Sequence, residues 1–126
     1  MYYRWVHNAT NWPKIAGVIA RMKAAADARG TRFVVVPLPI PFHIARDYPF
    51  AGVHAGILAD LRSRHIEWIN VLPSLARYGD AALCLHPEDL HPNSRYDDIV
   101  ARALLEEASR CRAPSDTALQ RDRPVP

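Results

Sequence analysis

Two carboxylates and two imidazoles fall within six residues in His86-Pro87-Glu88-Asp89-Leu90-His91, and Pro92, Asn93 and Ser94 follow at once. Proline at 92 biases His91 away from helical backbone toward an extended one, and in extended chain residues two apart point to the same side. Asp89 and His91 are therefore expected to face one site. A carboxylate beside an imidazole holds one ring nitrogen protonated and leaves the other to accept a proton from a nucleophile. Glu88 is the rival orienter, which a turn at Leu90 would bring round to the same ring, whereas the two-residue spacing of Asp89 needs no turn. The ordinary role for Asp89 is that of a loop carboxylate capping local backbone amides. His86, Glu88, Asp89 and His91 also carry the donor atoms a divalent metal takes. With no ligand motif elsewhere that pattern is weak, and no metal or other cofactor is expected.

The nucleophile is harder to find. Ser63, Ser74 and Ser109 fall in or beside expected helices, Ser94 reads as a helix cap, and Ser115 lies in the last, polar stretch. None sits on the sharp strand-to-helix elbow that exposes a catalytic serine. Cys84 and Cys111 lack metal-type spacing and read as buried or idle thiols.

The elements that must position Asp89 and His91 follow from the pattern of the chain. With 126 residues, 49% hydrophobic and 23% charged, it has the size and balance of one globular domain. No run approaches the roughly 18 apolar residues of a membrane span, and the first residues have no signal-type apolar stretch, so a soluble protein is expected. Net charge is +3, of which Arg110, Arg112, Arg121 and Arg123 against Asp116 and Asp122 supply two; the remainder is a poor footprint for nucleic acid. Tyr2, Tyr3 and Trp5 are expected to be covered rather than solvated. Asn11 and Pro13 start an amphipathic helix over about 12 to 29, with Ile15, Val18, Ile19, Met22 and Ala26 at helical spacing and Gly30 as its stop.

Phe33-Val34-Val35-Val36-Pro37-Leu38 reads as a strand covered on both faces. Pro37, Pro39 and Pro41 end it and open a loop through Phe50, where Phe42, His43 and Tyr48 form a candidate substrate lip of the kind that borders the crevice of open α/β sheets. A second helix from Val53 turns His54, Ile57, Leu58 and Leu61 inward, and a second strand spans Ile66 to Val71. Pro73 opens a helical turn through Tyr78, which Gly79-Asp80 breaks. A last helix starts after Asn93 or Ser94, with Asp97 completing an acidic capping box and Tyr96, Ile99, Val100, Ala103 and Leu104 as its apolar stripe. The alternation predicts a single three-layer α/β/α domain over 1–110, flavodoxin-like, with a parallel sheet. Residues 111–126, rich in Pro, Arg, Asp and Ser, read as a disordered tail.

Asp89-Leu90-His91-Pro92-Asn93, followed by a helix carrying Ile99-Val100-Ala101, resembles the last block of the SGNH (GDSL-type) hydrolases. The helix ending at Gly30, the run Phe33 to Pro39 and the stretch Ile69-Asn70-Val71-Leu72-Pro73 are also similar to that family, so the likeness covers about residues 12–108, its C-terminal half. The resemblance implies an SGNH-like fold and an esterase or lipase-like acyl hydrolase acting on a small-molecule or glycan ester. His91 would be the general base and Asp89 its orienter, with Glu88 the alternative. The family's Gly-Asp-Ser block and the later Gly and Asn of its oxyanion hole have no counterpart here, and Asn70 and Tyr96-Asp97 stand where relatives often carry Asp and Gly-His. The chain is therefore expected to be an incomplete member, inactive alone, that self-associates through an open sheet edge. The contrasting expectation is a noncatalytic α/β interaction module.

Overall fold

The computed structural model describes residues 11–86 and 88–110. Tyr2, Tyr3 and Trp5, the expected tail and Cys111 lie outside the described residues. The chain is mixed α/β, and it divides into two compact units. One joins the residues up to Val35 with Phe50–Trp68, and the other joins Val36–Pro49 with the residues from Ile69 onward.

In the first unit, helix α1 (Trp12–Asp27) has Pro13 in its first turn, where the missing N–H costs nothing. The Asn11 carbonyl accepts the Lys14 and Ile15 amides at 3.1 and 3.2 Å, but its side chain makes no cap bond. Asn11 already has helical backbone angles, whereas a capping side chain reaches back from extended backbone. Gly30, at φ 64°, ends the helix in the left-handed conformation. The Gly30 N–H donates to Asp27 O and the Thr31 N–H to Ala26 O, both at 2.9 Å, the paired bonds of a Schellman end. Helix α2 (Ala51–Ser63) ends with the same pair, His65 N–H to Arg62 O and Ile66 N–H to Leu61 O at 3.0 Å, with His65 itself left-handed at φ 54°.

Strand β1 (Val34–Val35) pairs in parallel with β2 (Glu67–Trp68), Val34 opposite Glu67 and Val35 opposite Trp68. The parallel relation agrees with the sequence reading, but the strand expected from Phe33 to Leu38 is cut to two paired residues. Proline 37 has no N–H to give a ladder, and β1 is half-buried rather than covered on both faces. Ile57, Leu61 and Ile66 form the core of this unit, with Trp12, Ile19, Phe33, Val35, Val53 and Trp68 packed against them. His54 is buried, on the inward face as its spacing requires.

The second unit holds the short helices α3 (Leu72–Leu75) and α4 (Asp80–Leu83), strands β3 (Cys84–His86) and β4 (Asp89–Pro92), and helix α5 (Ser94–Arg110). Gly79 breaks α3's continuation as expected, but Asp80 begins a further helix that periodicity over four residues could not reveal. Strands β3 and β4 are antiparallel. Among the described residues the strands thus form one parallel and one antiparallel pair. Val71, Leu75, Leu83, Tyr96 and Ala103 make the core, joined by Ile44 from the proline-rich loop. Ile99 and Val100 pack on it, while Leu104, expected inward, is exposed. No described helix is long and apolar enough to cross a membrane.

Candidate Asp-His site

Strands β3 and β4 carry His86, Asp89 and His91. Cys84 stands opposite Pro92 and His86 opposite Asp89, so two residues of β4, Leu90 and His91, oppose the single Leu85. This is the arithmetic of a β-bulge, which withdraws an amide from the ladder and re-aims a side chain. The Asp89 carboxylate takes up that amide. Asp89 Oδ1 accepts the His91 backbone N–H at 3.1 Å and is also in hydrogen-bond contact with His91 Nδ1. Plain strand alternation therefore anticipates the pair but misses its cause, which is a bulge closed by an Asp side chain. Both roles weighed for Asp89 are present in one carboxylate, since it caps a backbone amide and holds the imidazole.

The contact sets the electrostatics. The hydrogen bond from the His91 ring holds the Asp89 carboxyl below the usual carboxylate range, and the His91 backbone N–H acts the same way. Partial desolvation opposes them, and the charges of His91 and His86 assist. Asp89 is thus a fixed anion at neutral pH. The His91 side chain is 81% exposed, so the ring is held at one edge and open at the other. Nδ1 faces Asp89, which leaves Nε2 as the nitrogen for proton transfer. Glu88 is exposed; its backbone N–H donates to His86 Nδ1 at 3.3 Å, and it is Asp89 that engages His91.

The base of the hairpin is pinned by side-chain to backbone bonds. The Asn93 side chain donates from Nδ2 to Ala82 O at 3.1 Å and Cys84 O at 2.9 Å, and accepts at Oδ1 from the Arg95 and Tyr96 amides at 3.0 and 3.2 Å. Asn93 is accordingly the cap of α5, and Ser94 is its first helical residue. The capping box expected between Ser94 and Asp97 does not form, because with Asn93 as the cap the third helical position belongs to Tyr96. The buried Tyr96 hydroxyl donates to Pro39 O at 2.8 Å, and Cys84 Sγ to Pro41 O at 3.4 Å. Burial, and then the charges of Asp80 and Asp89, push the Cys84 thiol up, so it is a poor nucleophile.

The lip residues separate. Phe42 and His43 are exposed and stack edge to face with ring centroids 4.4 Å apart, whereas Tyr48 is half-buried against the core. The His43 and Ile44 amides donate to the Asp80 carboxylate at 2.6 and 3.0 Å, with His43 left-handed at φ 51°. Sequence reasoning missed Asp80 as this anchor and Asn93 as a clamp. The Asp at the start of a turn hinted at the first, and an Asn placed directly after the His-Pro of the site hinted at the second.

The Ser63 and Ser109 hydroxyls donate to carbonyls of their own helices, Ser74 is buried in α3, and Ser94 is exposed in the first turn of α5. Among the described residues no group of three or more His, Cys, Asp or Glu side chains is arranged to hold a metal ion. The chain matches no family model, no curated protein and no solved structure.

Proposed function

We propose that the chain is the Asp-His part of an SGNH-type serine hydrolase with a three-layer α/β/α fold, acting on a small-molecule or glycan ester, whose serine comes from outside these 126 residues. The observation that carries this reading is the Asp89 carboxylate on His91 Nδ1, with the rest of the imidazole open to an incoming nucleophile. In that mechanism the serine proton moves to His91 Nε2 as the oxygen attacks the ester carbonyl. The same proton goes to the departing alcohol, which leaves an acyl-enzyme, and water activated by His91 then releases the acid. Asp89 remains ionised throughout and stabilises the imidazolium. No cofactor enters the reaction.

The test is hydrolysis of short p-nitrophenyl esters together with labelling by a serine-directed fluorophosphonate. The 126-residue chain is expected to be neither active nor labelled. A form extended with its in-frame Gly-Asp-Ser segment is expected to be labelled at that serine, and the labelling is lost in His91→Ala. Stoichiometric labelling of a serine within the 126 residues would overturn the outside-serine element, and an extended form that is inert to both reagents would overturn the ester reading. Self-association belongs to the same proposal, because both outer edges of each two-stranded sheet are unpaired among the described residues. Sedimentation velocity is expected to show a dimer or larger species, and a concentration-independent monomer would remove that element.

A further inference from the structure

Asn93 uses every hydrogen-bonding position of its side chain, and it does so across three elements. Its two Nδ2 protons go to Ala82 O in α4 and Cys84 O in β3, and its Oδ1 receives the Arg95 and Tyr96 amides in the first turn of α5. Its backbone adds two more bonds, N–H to Leu83 O at 2.9 Å and C=O from the Asp97 N–H at 3.1 Å. An asparagine amide offers two donors and two acceptor positions, so this site is filled. Reversing the amide would set oxygen against two carbonyls, which leaves one orientation.

We infer that Asn93 is the positioning residue of the Asp89–His91 pair, fixing the bulge from which His91 reaches Asp89. The inference rests on the reading of His91 as a proton acceptor. Neither Asp89 nor His91 is buried. What holds the end of β4 is the residue two positions past His91. Pro92 stands opposite Cys84, and Asn93 ties that same Cys84 by its carbonyl, so the Asn93 side chain pins the end of the bulge that the Asp89 carboxylate closes from within. The N-terminal end of α4 carries the other anchor: Asp80 holds the His43 and Ile44 amides, while Ala82 and Leu83 at its C-terminal end, with Cys84 just beyond in β3, take the Asn93 bonds. One four-residue helix thereby spans from the exposed Phe42–His43 pair to the strand pair bearing His91. The cap of α5 is a separable duty, because serine and aspartate cap helices about as well as asparagine, yet neither can donate two hydrogen bonds at neutral pH.

That separation supplies the experiment. Asn93→Ser and Asn93→Asp are compared with the parent chain by long-range proton–nitrogen NMR of the His91 ring and by the Arg95 and Tyr96 amide signals. Both variants are expected to keep the two amides in their capped positions while the His91 ring signals move toward those of an imidazole free to exchange tautomers. A His91 signature unchanged in both variants would overturn the positioning role. In the parent chain the Asn93 side-chain protons are expected to exchange with solvent more slowly than those of a free asparagine amide, and unprotected protons would overturn the role even if neither variant folds. In the extended form Asn93→Ser is expected to lower kcat with KM unchanged. Loss of the His91 signature without ester hydrolysis in any form would leave Asn93 its role and sink the ester reading, whereas His91-dependent hydrolysis indifferent to Asn93→Ser would do the reverse.

Discussion

In the first unit the polar side-chain contacts are mostly one helical turn long, as in Lys23–Asp27 and Arg64–Asp60, and the unit closes on Ile57, Leu61 and Ile66. In the second, Asp80 reaches the amides of His43 and Ile44, 37 and 36 residues away, and the Tyr96 hydroxyl reaches Pro39 across 57. Apolar burial is non-directional and rewards proximity, whereas a hydrogen bond to a particular carbonyl fixes where an irregular segment lies. The unit that carries the candidate chemistry is the one whose loops are tied by directional bonds. That difference predicts that polar substitutions act on geometry in the second unit and act weakly in the first.

The largest effect expected is chemical. In the serine-completed form His91→Ala is expected to lower kcat by about 10³-fold or more, and Asp89→Asn by a comparable or somewhat smaller factor. Glu88→Gln is expected to do far less, since the Glu88 carboxylate does not hold the imidazole. Steady-state kinetics of the three variants would break the assignment if Glu88 proved the sensitive carboxylate. Next comes Leu61→Ala, which empties a 1% exposed site in the first unit and is expected to cost about 2–5 kcal/mol. Hydrogen exchange of the α1 and α2 amides reads that loss, and an unchanged rate would show that apolar packing does not hold this unit.

How far the sequence leads differs between the units for the same reason. The extent of helix α1 was legible because Gly30 signals the left-handed stop, but Val18 and Met22, expected on its covered face, are exposed, and α2 starts at Ala51 rather than Val53 and stops at His65, which carries no such signal. Periodicity reports burial on one face. It could not shorten the Phe33–Leu38 strand, because pairing depends on what lies opposite, and only Glu67 and Trp68 do. The hairpin escaped as well: a bulge shifts the side chains of Leu90 and His91 off the simple alternation, and Asp89 closes it by a bond that spacing alone does not show. Ile44 is buried among prolines with no period around it. Asp89 and His91 were legible as a pair because chemistry-bearing residue types two apart beside a proline are rare enough to notice, while Asn93 looked like an ordinary cap.

Tyr96→Phe sharpens the comparison at smaller scale. It removes only the hydroxyl, leaves the ring in the core and strands the buried Pro39 carbonyl, at an expected cost of about 1–2 kcal/mol. The matching probe in the first unit is Glu67→Gln, which ends the exposed Arg32–Glu67 ion pair at an expected cost of no more than about 1 kcal/mol. Urea unfolding of both variants checks the ratio. An equal loss at the two sites would mean that directional bonds carry no special weight in the second unit.

The smallest effect concerns acid. The Asp89 carboxyl is held below its ordinary range in the folded chain, chiefly by the His91 ring, so the folded state binds a proton there less readily than the unfolded chain does. A group with a depressed folded value contributes its stability in full above the unfolded carboxylate range and loses it as pH falls through the folded value. Asp89→Asn can still accept the His91 backbone N–H through its oxygen but carries no charge. The stability difference between parent and variant is therefore expected to be level above the ordinary carboxylate range and to shrink as pH falls below it. Because both side chains stand largely in water, the difference is small at every pH, and melting temperatures taken at closely spaced pH values are needed to see its slope. A difference that grows as the solution is acidified would mean that Asp89 is not held as an anion by His91, and the proton-accepting role of that imidazole would lose its structural basis.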